Sequence, residues 1–183
     1  MQRHGLLPLF VALTSVVITL NSPPATAQVA VTFLDTFQKV CLPELTFERT
    51  VAEFKASGWK SPEDALHPLY AQDITKPDQK AYFVFDEPTG GKVLGAAFSE
   101  RRGLLITRHK TTCLVRAFLE APSRLRKDFR KLLKEPPSRS TSNQEILADA
   151  WLNLLKGRVF GFRAIKTKNG FWIVTAYRVL TSG

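Results

Sequence analysis

The chain has 183 residues, 44% of them hydrophobic, and its 26 Lys and Arg against 16 Asp and Glu give a formal charge of +10. A chain of this length buries roughly 70% of its unfolded surface, so it needs neither a structural metal nor several disulfides to hold a core. The charge favours anionic partners and opposes self-association.

The first element reads as a secretory leader. Arg3 gives a short positive segment, Leu6 to Leu20 carry no charge, and Asn21 to Ala27 are polar and contain Pro23-Pro24. Ala25-Thr26-Ala27 puts small side chains where a signal peptidase needs them, so cleavage is expected between Ala27 and Gln28. Residues 28–183 then form one domain. A retained anchor needs ~20 apolar residues, whereas this run is about 15 long and contains Pro8. Lipoprotein processing needs a cysteine at the cleavage point, and the first cysteine is Cys41. No later run is long enough to span a bilayer, so the mature chain is expected in the periplasm or secreted, without a transmembrane segment.

That compartment is oxidising, and the even pair Cys41 and Cys113 is expected to form one disulfide rather than two free thiols. Ala30, Phe33, Leu34, Phe37, Val40 and Cys41 recur at helical steps, and Phe47, Val51 and Phe54 repeat the pattern until Gly58. A short third helix is expected from Ser61, with Pro62 at its first position. From Ala81 the period becomes two. Strands are expected at Ala81 to Asp86, Lys92 to Ser99, Leu104 to Arg108 and Thr112 to Leu119, with turns at Gly90-Gly91 and Arg101 to Gly103 and a break near Lys110.

A basic helix follows from Ser123 to Lys134, and a second helix from Asn143 to Lys156 is expected from a Ser142/Glu145 capping box and the stripe Ile146, Leu147, Ala150, Trp151, Leu154, Leu155. Gln72 to Lys80 and Lys134 to Ser142 read as loose polar segments. Val159 to Thr167 and Phe171 to Leu180 form a hairpin through Asn169-Gly170. The sum is an α+β domain with an antiparallel sheet of five or six strands and helices packed on one face.

In the basic helix, Leu125, Phe129, Leu132 and Leu133 share one side, while Arg124, Arg126, Lys127, Arg130, Lys131 and Lys134 occupy most of the other. Those six cations suit phosphate head groups of anionic lipid, lipopolysaccharide or an acidic protein. Further cations, Arg158, Arg163, Lys166, Lys168 and Arg178, decorate the last hairpin, and Arg101, Arg102, Arg108 and Lys110 sit near the middle turns. Nucleic acid is not an expected partner, because export removes the chain from it and no binding motif accompanies the charge.

No nucleophile elbow, zinc helix, phosphate loop or Cys-x-x-Cys pair occurs. His67 and His109 are the only histidines after the leader, so no cofactor, metal or catalytic residue is assigned. A cleaved leader, a helix ending at Phe37 to Leu42, a second ending in Ala56-Ser57-Gly58-Trp59, and the strand Thr112-Cys113-Leu114-Val115 together resemble small periplasmic two-cysteine proteins of unknown function from alphaproteobacteria. The resemblance implies the localisation and the bridge, and no activity. The expected function is non-catalytic binding of an anionic envelope component or acidic protein. The alternatives are a small envelope-associated hydrolase or an inhibitor of another secreted protein.

Overall fold

The computed structural model describes residues 25–62, 77–102, 108–153 and 156–182. Helix α1, Ala25–Thr36, runs into a single π-helical turn, Phe37–Cys41. In that turn the Leu42 N–H donates to the Phe37 carbonyl at 2.7 Å, five residues back. The wider turn rotates Phe37, Val40 and Cys41 together into the interior, where all three are buried. The expected cleavage point after Ala27 falls within the first turn of α1; residues 1–24, the rest of the expected leader, lie outside the described residues.

Helix α2, Phe47–Ala56, starts at Thr46, whose side chain accepts from the Arg49 N–H. It ends as the sequence predicts. Gly58 has φ +80°, and the Trp59 N–H reaches back to the Phe54 carbonyl at 3.2 Å, a closure that brings the Trp59 ring edge-on to Phe54. The helix expected from Ser61 lies outside the described residues beyond Pro62.

Strands β1 (Gln79–Asp86), β2 (Lys92–Arg102) and β3 (Arg108–Leu119) form a meander, followed by helix α3 (Ser123–Leu133). A second meander comprises β4 (Arg139–Ser142), β5 (Ile146–Asn153), β6 (Arg158–Lys166) and β7 (Trp172–Ser182). The two meet where β3 pairs with β7, giving one antiparallel sheet in the order β1-β2-β3-β7-β6-β5-β4. The α+β reading stands, with seven strands in place of five or six. The expected strands Leu104 to Arg108 and Thr112 to Leu119 are not separated at Lys110, because β3 runs unbroken from Arg108; residues 103–107 lie outside the described set.

The largest correction is the segment Asn143 to Lys156, expected as a helix. It is strand β5. In place of a capping box, the Asn143 Oδ1 accepts from the N–H groups of Glu145 and Ile146 at 2.9 and 2.6 Å, a local turn that starts the strand. Leu147, Asp149 and Trp151 alternate inward and are buried. The polar segment before it also pairs, as β4, a four-residue exposed edge. The final hairpin is as expected, but only Gly170 of its Asn-Gly pair has positive φ, at +85°. The Thr167 N–H bonds to Phe171 O at 2.7 Å and the Gly170 N–H to Thr167 O at 3.1 Å, so the loop is longer than a two-residue turn.

Gly95, Val115, Ala176, Phe162 and Asp149 lie side by side across five strands, so they share one face of the sheet. Phe33 from α1, Phe37 from the π turn, Phe54 from α2 and Leu125 and Phe129 from α3 join Val115, Phe162 and Ala176 in a single buried cluster. Gly95 has no side chain because the Phe54 ring occupies the place a Cβ would take. Cys41 is bonded to Cys113, with 5.3 Å between their Cα atoms, tying the π turn to β3 as the sequence predicts. Among the described residues no helix is long and apolar enough to cross a membrane.

Candidate anion-binding surface

Helix α3 carries five of the six cations singled out in the sequence and Lys134 caps its end, and the structure divides them. Arg126 is buried at the flank of the helix, where its Nε and a terminal nitrogen donate to the two Asp149 oxygens at 2.8 and 2.7 Å. The same terminal nitrogen reaches Ser140 Oγ and the carbonyls of Thr141 and Ala148. Arg130, one turn on, makes a second two-point fork to Asp149 at 2.8 and 2.7 Å and also reaches Ser140 Oγ. Burial alone would raise the Asp149 pKa. The hydrogen bonds from Arg126, Arg130 and Ser140 outweigh it and hold the carboxyl well below the usual carboxylate range. The Arg130 pKa is raised, chiefly by its hydrogen bond to Asp149.

These two arginines therefore mount α3 on β4 and β5 and are not free to meet a ligand. Arg124, Lys127, Lys131 and Lys134 are exposed. Arg124, Lys127 and Lys131 follow one another at spacings of three and four residues, and at about 100° per residue they line up as one outward stripe; Lys134 caps the helix with φ +58° and leaves that line. Lys131 also contacts Asp128, one turn back, at 3.2 Å. The stripe lies opposite Leu125 and Phe129, which face the core, and Phe129 packs on Phe37, Trp151 and Phe162 with ring centres 4.8 to 5.6 Å apart.

The other face of the sheet carries a second cluster, Val84, Leu94, Ala96, Phe98 and Leu114. Beside it is a cavity of about 530 Å³ floored by β3, β7 and β6. Arg116, Thr175 and Arg163 stand in register across its three strands, and the Arg116 Nε donates to Thr175 Oγ1 at 2.9 Å. Lys110 also lines it and pairs with Glu100 at 3.5 Å.

At the far end of β3, His109 and Ser182 are register partners in a groove that includes Glu44, Glu48 and Asp78. Among the described residues no hydrogen bond joins His109 to a carboxylate, and Asp78 Oδ2 accepts instead from the Arg101 N–H at 2.6 Å. His67 lies outside the described residues. Close by, Arg158 pairs with Glu44, while Arg178 is fully buried with only a 3.4 Å contact to the Leu45 carbonyl. Among the described residues its Nε and one terminal nitrogen have no partner. Burial pushes the Arg178 pKa down to about 10, and repulsion from Arg158 adds to this against the attraction of Glu44. Among the described residues no group of three or more side chains could hold a metal.

In the helical reading Asp149 falls opposite the apolar stripe and reads as a solvent-facing carboxylate. The row formed by Arg116, Thr175 and Arg163 depends on strand order and had no signal in the sequence. The chain matches no protein-family model, and no curated protein or solved structure is significantly similar to it.

Proposed function

We propose that the chain is an exported, non-catalytic binding domain that docks on a phosphate-bearing component of the cell envelope through the cationic stripe of α3. The observation that carries this reading is the division of labour within the helix. Arg126 and Arg130 fix it to the sheet through Asp149, and Arg124, Lys127 and Lys131 project outward in one line, with Lys134 exposed at the C-cap. A rigid mount spares the entropy otherwise lost when a flexible basic segment orders on a charged surface. Export is supported by the leader pattern and by the disulfide, which persists in oxidising compartments.

Vesicles containing anionic phospholipid test the proposal against neutral vesicles. Reversing Arg124, Lys127 and Lys131 to Glu is expected to abolish sedimentation with the anionic vesicles while leaving the thermal melt unchanged. Retained sedimentation overturns the reading, and capture of an acidic protein instead assigns the stripe to a protein partner. Arg126 is excluded from this variant because its reversal would break the Asp149 fork and test folding.

A hydrolase reading has one observation in its favour, the His109–Ser182 pair beside Asp78 and Glu48 in the β3 groove. Loss of ester turnover in His109→Ala would support it, and absence of turnover in the unmodified protein counts against it.

A further inference from the structure

We propose that Glu87 is the acceptor for the α-amino group that removal of the expected leader frees on Gln28, so that processing completes an ion pair at the start of α1. The inference rests on the export reading above. Glu87 lies in the turn between β1 and β2, where its N–H donates to the Gly91 carbonyl at 2.8 Å and its carbonyl accepts from the Gly90 N–H at 2.9 Å. The backbone is satisfied and the side chain is not. Glu87 is only 5% exposed, and among the described residues its Oε1 has no hydrogen-bond partner. A buried carboxylate oxygen left in that state is costly.

The start of α1 lies against this turn. A Cβ at Gly91 would run into Val29 Cγ2 and come within 3.8 Å of both Val29 Cβ and Glu87 Cβ, so the two side chains flank the same glycine. Val29 is 4% exposed and fixes this end of the helix, and Gln28 is the residue before it. In the unprocessed chain Ala27 continues α1, and the Gln28 nitrogen is a peptide N–H. Hydrolysis of the Ala27–Gln28 bond leaves the new carboxylate on Ala27, which departs, and an amine on Gln28, which takes up a proton. The space of the turn ahead of Gln28 is vacated at the same time. The helix then begins at Gln28, and its dipole and unpaired N–H groups favour an anion at the same end as the ammonium. The other charged groups near this end are engaged or exposed. Asp86 and Lys92 pair with each other at 2.6 Å, while Glu120, after β3, and Arg124 and Lys127, on α3, are exposed.

The mature chain is purified from the periplasm and its first residue fixed by intact mass, which keeps the two claims apart. A chain that begins ahead of Gln28 overturns the export reading and the pairing together. A chain that begins at Gln28 but is one ammonia lighter, its amine closed on its own side-chain amide, overturns the pairing alone. On the free terminus, acylation of the Gln28 amine near pH 7, read on the N-terminal peptide, is expected to be about tenfold slower than in Glu87→Gln. Equal rates overturn the pairing. An amine held by Glu87 titrates above its ordinary value near 8, so its contribution is complete below about pH 8 and is lost as pH rises through the higher value. The stability difference between wild type and Glu87→Gln should therefore shrink between about pH 8 and 10, and a constant difference contradicts the pairing. An engineered chain with one alanine added ahead of Gln28 leaves Glu87 in place and moves the amine. It is expected to be acylated as fast as Glu87→Gln, and protection that survives in it overturns the pairing.

Discussion

One Asp149 carboxylate accepts two-point forks from both Arg126 and Arg130, each at 2.7 and 2.8 Å, and so joins α3 to β5. The pair is unequal. The Arg126 side chain is 9% exposed and the Arg130 side chain 39%, so removing the acid strands one cation in the interior and leaves the other able to turn to water. Asp149→Ala is expected to cost about 3–5 kcal/mol in urea unfolding, whereas Arg130→Ala should cost much less. Equal losses would show that the Arg130 fork carries the whole of the acid's contribution, against the burial of Arg126.

The same carboxyl makes stability depend on acid. Its folded pKa lies below its unfolded value, so its contribution is complete above the unfolded pKa, near 4, and is lost as pH falls through the folded one. Wild type should therefore lose stability steeply from about pH 5 downward. Asp149→Asn should start less stable and show a shallower fall over that window. Parallel pH profiles for the two proteins would contradict the assignment.

The disulfide closes a loop with a sequence separation of 72 residues, for which chain entropy sets a stabilisation of about 4 kcal/mol. Cys41→Ser with Cys113→Ser should lower the urea midpoint accordingly, with far-ultraviolet circular dichroism preserved below the transition. Intact mass after alkylation, with and without reduction, verifies the bridge in the unmodified protein.

Arg178 is the opposite case to Arg126. It is buried with two nitrogens that find no partner among the described residues, and burial lowers its pKa to about 10, the mark of a charge that folding disfavours. Arg178→Met, similar in length and apolar, is expected to leave thermal stability unchanged or raised. A loss above about 2 kcal/mol would mean that the guanidinium makes a stabilising interaction in solution.

Gly95→Ala places a methyl group where the Phe54 ring sits, between α2 and the sheet. Overpacking of this kind should cost about 1–3 kcal/mol. Adding Phe54→Leu should recover part of the loss in a double-mutant cycle.

Local chemistry made some of this fold readable. Gly58 ends α2 and Gly170 turns the last hairpin because each needs a positive φ, a requirement visible in sequence. The disulfide was legible from an even cysteine count and the leader-like pattern of the first 27 residues. Segment 146–153 was not. Ile146, Leu147, Ala150 and Trp151 satisfy a helical period, while Leu147 and Trp151 also satisfy a period of two; the residue that decides between them is Asp149. A buried carboxylate reads as a surface position unless its partners are known, and they come from α3, 23 and 19 residues earlier in the chain. For the same reason the helix's cations read as equivalent. Arg126 and Arg130 differ from Arg124 and Lys127 only by what the fold sets against them.

Docking is proposed to run through the outward stripe of α3 and not through overall charge. The most direct measurement is vesicle binding as a function of salt for the unmodified protein, the Arg124/Lys127/Lys131 reversal and an equal reversal of Lys166, Lys168 and Arg163 on the last hairpin. Each basic residue near an anionic surface contributes about 1 kcal/mol, so the α3 reversal should weaken binding by at least about a hundredfold and flatten the salt dependence. The hairpin reversal should change it far less. Equal losses from the two reversals would contradict the account and reduce the binding to net charge.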